Sequence, residues 1–189
     1  MIIDAALALF EEKGYDAVPV EEIAAAAEVS PRTFYRYFPV KEDVLVLDPE
    51  TDTAVRAALA EDHPDETDAE FVARTLIAAL TARRPERARR AYHLIQVTPA
   101  LQARIYRLVW RDQEGIVQAL LARGAARQSG GGTPARDAEL RARVTTIAVS
   151  DAIRIGVAAW VQAGQPGPVD RYCRHSLAML REALAAPPS

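Results

Sequence analysis

Thiol chemistry is nearly absent from this sequence. One cysteine, Cys173, cannot form an internal disulfide or a thiolate zinc cluster, and its place on an apolar stripe reads as small core filling. The three histidines, His63, His93 and His175, stand far apart, and no HExxH, GxSxG, CxxC or glycine-rich phosphate loop accompanies them. No catalytic or metal-binding constellation is therefore expected, no cofactor is implied, and the chain does not read as an enzyme. No run of roughly 18 apolar residues occurs, and Asp4 interrupts the one N-terminal stretch that resembles a leader, so a cytoplasmic location is expected. Alternating strand patterns and internal repeats are missing as well. Glycine gathers in one short low-complexity segment, Ser129 to Pro134, which reads as a loop. What remains is helical periodicity, in a chain of 189 residues that is 50% apolar and so can bury a core. The expected fold class is all-α.

The most informative stretch runs from Val20 to Val44. Val20, Ile23, Ala24 and Ala27 recur at helical spacing and make one apolar stripe on a short helix that ends near Glu28. Ser30 offers an N-cap oxygen and Pro31 the preset φ of a first helical position, so a second helix starts after a tight turn. Phe34 and Phe38, one turn apart, form its inner face, which leaves Arg32, Thr33, Tyr35, Arg36 and Tyr37 on the sides and outer face. Each of these five can donate a hydrogen bond, which suits a helix that reads a major groove. A preceding helix from Ile2 to Lys13, stopped by Gly14, braces the pair through Ile3, Leu7 and Phe10.

Ile23-Ala24, Val29-Ser30, Thr33-Phe34-Tyr35, Tyr37-Phe38 and Lys41-Glu42 follow one another in the order of a known signature, and residues 1–48 resemble the N-terminal domain of the TetR family of bacterial transcriptional regulators. The resemblance implies a three-helix helix-turn-helix DNA-binding domain over residues 1–47, followed by an α-helical ligand-binding and dimerisation domain over residues 48–189. It implies a homodimer, a double-stranded DNA operator and a small-molecule effector. Ser30, Arg32, Thr33, Tyr35, Arg36, Tyr37 and Lys41 become the expected DNA-binding residues, with Lys41 on a phosphate. The chain departs from the family pattern at Glu28, where the turn usually carries glycine, and at Pro19, where a threonine usually caps the motif's first helix. A left-handed Glu28 costs about 1 kcal/mol against glycine. The chain also opens at Met1-Ile2-Ile3 without a basic arm, so fewer phosphate contacts are expected. The expected function is a ligand-responsive repressor; a ligand-binding or assembly module with decayed DNA binding is the alternative.

Charge is unevenly distributed. Residues 1–48 hold four cations, Lys13, Arg32, Arg36 and Lys41, against ten acids, yet residues 29–41 hold three of those cations and no acid. With screening over about 8 Å, the local charges dominate at a groove. Between Arg83 and Arg111, eight arginines stand against a single acid, Glu86. That stretch reads either as a solvated face or as the rim of an effector pocket, for which an anionic amphiphile such as an acyl thioester is expected. Tyr92, His93, Tyr106, Trp110 and Trp160 are the candidate ligand-binding residues, being large side chains with polar tips.

The remaining helices follow from proline and periodicity. Asp48-Pro49 should interrupt the chain before a helix resumes near Asp52, Pro85 should open another, and the helix begun by Thr98-Pro99 should end by Gly124. The helix over 135–163 is apolar on two faces, Leu140, Val144, Ile147 and Ile155 on one and Val149, Ile153, Gly156, Val157 and Trp160 on the other. It is expected to form the dimer contact with the last helix, Ala152, Gly156 and Ala159 letting backbones approach.

Overall fold

Four prolines open helices in this chain. Pro31, Pro49, Pro85 and Pro99 each stand at the first helical position, where the missing N–H costs nothing and the ring fixes φ. Side-chain caps reinforce the starts. Ser30 Oγ accepts from the Thr33 N–H at 3.1 Å and Asp48 Oδ1 from the Glu50 N–H at 2.9 Å. Thr67 and Glu70 cap reciprocally, at 3.3 and 3.0 Å.

The computed structural model describes residues 1–61, 63–127, 135–164 and 167–185; the side chains of residues 100, 104, 106–112 and 135 are outside the description. The elements are α1 (Ile2–Lys13), α2 (Val20–Ala26), α3 (Pro31–Tyr37), α4 (Asp43–Val46), α5 (Pro49–Ala60), α6 (Asp68–Thr81), α7 (Pro85–Val97), α8 (Pro99–Arg127), α9 (Ala135–Gln162) and α10 (Val169–Ala185). Among the described residues there is no strand, so the fold is all-α, an N-terminal helix-turn-helix followed by a helical bundle. The glycine-rich segment predicted as a loop lies outside the described residues. Two predicted boundaries move. α5 begins at Pro49 and not near Asp52, because proline starts a helix where it would break one inside. α8 runs past Gly124 to Arg127, since that glycine keeps a negative φ.

Two buried clusters organise the packing. The first joins Leu7, Phe10, Ile23, Phe34, Phe38 and Leu45 to Ala91 and Leu94 of α7 and to Leu101 and Ile105 of α8. The second holds Phe71 and Val72 of α6, Val117 and Leu120 of α8, Val149, Ile153, Val157 and Trp160 of α9, and Cys173 of α10, with Tyr92 of α7 packed against it. Thus α7 and α8 contribute to both cores. Cys173 is fully buried, and burial pushes its thiol up to about 11.

The two faces of α9 fare differently. Val149, Ile153, Val157 and Trp160 are buried against the helices of their own chain, whereas Leu140, Val144 and Ile155 remain 62%, 58% and 56% exposed. By length and composition α9 is apolar enough to cross a membrane, a property that a core helix shares, and it packs here on α6, α8 and α10. Gly156 lies on the covered side. A Cβ there would stand 2.7 Å from Ser176 Oγ and 2.8 Å from both Cys173 Cα and the Tyr172 carbonyl oxygen. Its close approach is therefore to α10 of the same chain, which corrects its expected place in a contact between subunits.

Candidate nucleic-acid interface

The interface begins with a strained turn. Val20, Ile23 and Ala24 bury the inner stripe of α2, and the chain reverses at Glu28, whose φ of 55° puts it in the left-handed region. This is the position where glycine would be free of cost, so the about 1 kcal/mol penalty foreseen for Glu28 is incurred. Hydrogen bonds at the turn, Glu28 N–H to the Ala25 carbonyl at 3.1 Å and Val29 N–H to the Ala24 carbonyl at 2.9 Å, help hold it.

From there Ser30 and Pro31 launch α3. Phe34 is buried, its ring centroid 5.4 Å from Phe38 and 5.6 Å from Tyr35. Anchoring at 34 and 38 turns Arg32, Tyr35, Arg36 and Tyr37 outward, and all four are exposed. Arg36 donates to the Tyr37 hydroxyl at 3.2 Å while its guanidinium lies 4.8 Å from that ring, an arrangement that preorders both side chains. Ser30 and Thr33 are partly committed already. The Ser30 oxygen caps the helix and shares a hydrogen bond with the Thr33 hydroxyl at 2.9 Å.

Lys41 does not project as predicted. Its ammonium donates to the carbonyls of Tyr15 (2.8 Å) and Val18 (2.9 Å) and sits 4.1 Å from the Tyr15 ring centroid. The connection between α1 and α2 leaves carbonyls without helical partners, and the chain leaving α3 brings a cation to them. Lys41 thus ties the chain leaving α3 to the connection between α1 and α2.

Three of the ten acids of this region are paired with cations away from α3. Arg87 meets Asp4, Arg90 meets Glu11 and Lys13 meets Glu22. Hydrogen bonding to Arg87 outweighs desolvation and holds the Asp4 carboxyl at about 2. These contacts overturn the pocket-rim reading for Arg87 and Arg90 of α7 and for Arg83 before it. Arg83 donates to the Leu45 carbonyl at 2.7 Å and also to the Val46 carbonyl, so Arg83, Arg87 and Arg90 all engage the N-terminal helices.

The predicted effector residues are only partly brought together. Tyr92 and Trp160 meet edge to face with centroids 6.2 Å apart, burial pushes the Tyr92 phenol up to about 12, and Trp160 Nε1 donates to the Gly167 carbonyl at 3.2 Å. His93 is exposed, as helix geometry explains: Ala88, Ala91 and Leu94 set the buried face of α7, and at about 100° per residue His93 falls on the opposite side. The side chains of Tyr106 and Trp110 lie outside the described residues. Sequence reasoning missed the hydroxyls of Thr75, Thr146 and Ser150, buried on α6 and α9 without hydrogen-bond partners. Their only signal was a polar residue in an apolar stripe. A groove of about 560 Å³ runs elsewhere, between α5 and α8, lined by Leu59, Pro64, Ala122 and Arg123 among others and, among the described side chains, by none of Tyr92, His93 and Trp160.

Comparison with known proteins bears on this geometry. Residues 2–46 match the family described as "Bacterial regulatory proteins, tetR family". The transcriptional repressor KstR of Mycolicibacterium smegmatis is 43% identical over 68 residues, which cover 31% of this chain and 32% of the relative. The matched segments span only 16% to 32% of the curated relatives' lengths. Two solved structures share the fold at greater reach. The fatty acid degradation regulator FadR of Bacillus halodurans is 20% identical with a TM-score of 0.54, covering 99% of this chain and 98% of that one. FadR of Bacillus subtilis, solved in complex with stearoyl-CoA, is 22% identical with a TM-score of 0.50, covering 95% of each chain.

Proposed function

We propose, from the premise that its N-terminal domain makes this chain a member of the tetR family of bacterial regulatory proteins, that it is a cytoplasmic DNA-binding transcriptional repressor released from its operator by a small-molecule effector. One observation carries the reading: a capped, core-anchored helix presents Arg32, Tyr35, Arg36 and Tyr37 outward as a block of hydrogen-bond donors. In this reading guanidinium groups recognise guanine edges and tyrosine hydroxyls reach phosphates. Residues 1–47 read DNA, and residues 48–189 dimerise and bind the effector. Repression follows the function named for the KstR relative. Dimerisation through the uncovered apolar face of α9, with α10, sets two reading helices about one DNA turn apart.

The effector lies against Tyr92 and Trp160. With Arg83, Arg87 and Arg90 engaged on the N-terminal helices, its apolar part carries the recognition, and an acyl thioester is the class to try first because FadR of Bacillus subtilis was solved with stearoyl-CoA. The decisive experiment incubates the purified chain with sheared genomic DNA at low salt and sequences what is retained. A common half-site motif in the retained fragments supports the reading, and retention of no duplex at all would point to the module without DNA binding.

A further inference from the structure

We propose that Arg87 and Arg90 of α7 are positioning residues for DNA recognition: clamped on Asp4 and Glu11 at the two ends of α1, they fix the angle at which α3 meets a duplex. The inference rests on the DNA-binding reading above and adds residues that lie far from α3 in sequence.

Both contacts are forks. Arg87 Nε and Nη2 donate to Asp4 Oδ1 and Oδ2, each at 2.6 Å, and Arg90 Nε and Nη2 donate to Glu11 Oε1 and Oε2 at 2.8 and 2.7 Å. A two-bonded arginine–carboxylate pair fixes direction as well as distance. Asp4 lies in the first turn of α1 and Glu11 in the last, about 10 Å apart along the axis. A single clamp would leave α1 free to pivot, whereas one at each end stops both rotation and sliding. Arg83, in the bend that precedes α7, adds a third point by holding the closing carbonyls of α4. Beyond these charged contacts along α7, Ala91 and Leu94 enter the N-terminal core.

The orientation passes on by packing. α7 packs on α1, α1 on α2 and α2 on α3. Pairs at this degree of exposure contribute little to stability, since side-chain entropy and solvent screening offset their attraction. Recognition asks more of them, because base contacts weaken steeply with misplacement of the donor.

The test separates placement from charge. Wild-type full-length chain first selects a duplex from a random library, and that duplex is the probe. Asp4→Asn removes a negative charge and Arg87→Gln a positive one, so a purely electrostatic role predicts opposite effects on affinity. Positioning predicts that both lose affinity, by roughly tenfold, while helix content at the temperature of the binding assay stays that of wild type. It predicts further that Asp4→Arg combined with Arg87→Asp recovers most of the loss. Should the first pair's variants unfold, Glu11→Gln and Arg90→Gln at the more exposed pair give the same readout. Tighter binding by Asp4→Asn, or wild-type affinity in every single variant, overturns the inference while leaving the proposed function standing. Failure of the wild-type chain to select any duplex overturns both.

Discussion

Arg32 and Arg36 leave α3 on the side away from Phe34, so either can be shortened without opening the core. Replacing each by alanine should weaken binding to the selected operator by about 1 to 3 kcal/mol where the guanidinium pairs with guanine, with far-ultraviolet circular dichroism unchanged. Undiminished affinity in both variants would move the reading surface elsewhere. Lys41→Ala should behave differently, lowering the thermal midpoint because the carbonyls of Tyr15 and Val18 lose their donor. Thr146→Val should raise it. That hydroxyl is fully buried without a partner, so its removal is expected to add about 1 kcal/mol of stability, read as an upward shift of the urea midpoint. The outer residues of α3 were legible in sequence because capping and two phenylalanines dictate their direction. The inward turn of Lys41 was not, because its partners are backbone carbonyls 26 and 23 residues away.

At the scale of elements, start signals were legible and long-range partners were not. Proline at a first helical position and serine or threonine before it are local chemistry, so α3, α7 and α8 begin where their sequences indicate. The eight arginines from Arg83 to Arg111 look like a binding rim in one dimension, while the structure sets three of them against α1 and α4. That docking has a pH signature. Arg87 first and then the N-terminal ammonium, against an opposing desolvation, hold Asp4 at about 2, below its ordinary 3.8, so the contribution of the pair to stability is full above about 3.8 and disappears as pH falls through about 2. Asp4→Asn should therefore be less stable than wild type at neutral pH, and the gap between their urea midpoints should narrow across that acid window. A gap independent of pH would mean that the carboxylate is not the source. Gly156 belongs to this scale as well. Two of the atoms that crowd its missing Cβ are backbone atoms of α10, so Gly156→Ala should cost about 1 to 3 kcal/mol through separation of the two helices, measurable by urea unfolding.

For the whole molecule, the question is what covers the outer face of α9. Leu140, Val144 and Ile155 stand on one side of that helix, and more than half of each is exposed, with Met179 and Leu184 of α10 also uncovered. Exposed apolar side chains gathered on one side of a helix mark an interaction surface, and a two-fold dimer uses one patch twice, so a second copy can cover it without any new partner. The sequence showed the two apolar faces, and only packing shows which one the chain keeps for itself. Because Ile155 touches little within its own chain, Ile155→Asp should fold normally. Placed at a self-complementary contact, the charge appears twice and is desolvated on both sides, a cost that association cannot offset. Sedimentation velocity should find wild type as a dimer and Ile155→Asp as a monomer with unchanged helix content. The monomer should also bind the selected operator far more weakly, since each half-site is then held alone and the gain from linking two reading helices is lost. A wild-type chain that sediments as a monomer, or a variant that stays dimeric, would place the dimer contact on another surface. Monomeric Ile155→Asp that keeps wild-type operator affinity would separate dimerisation from recognition.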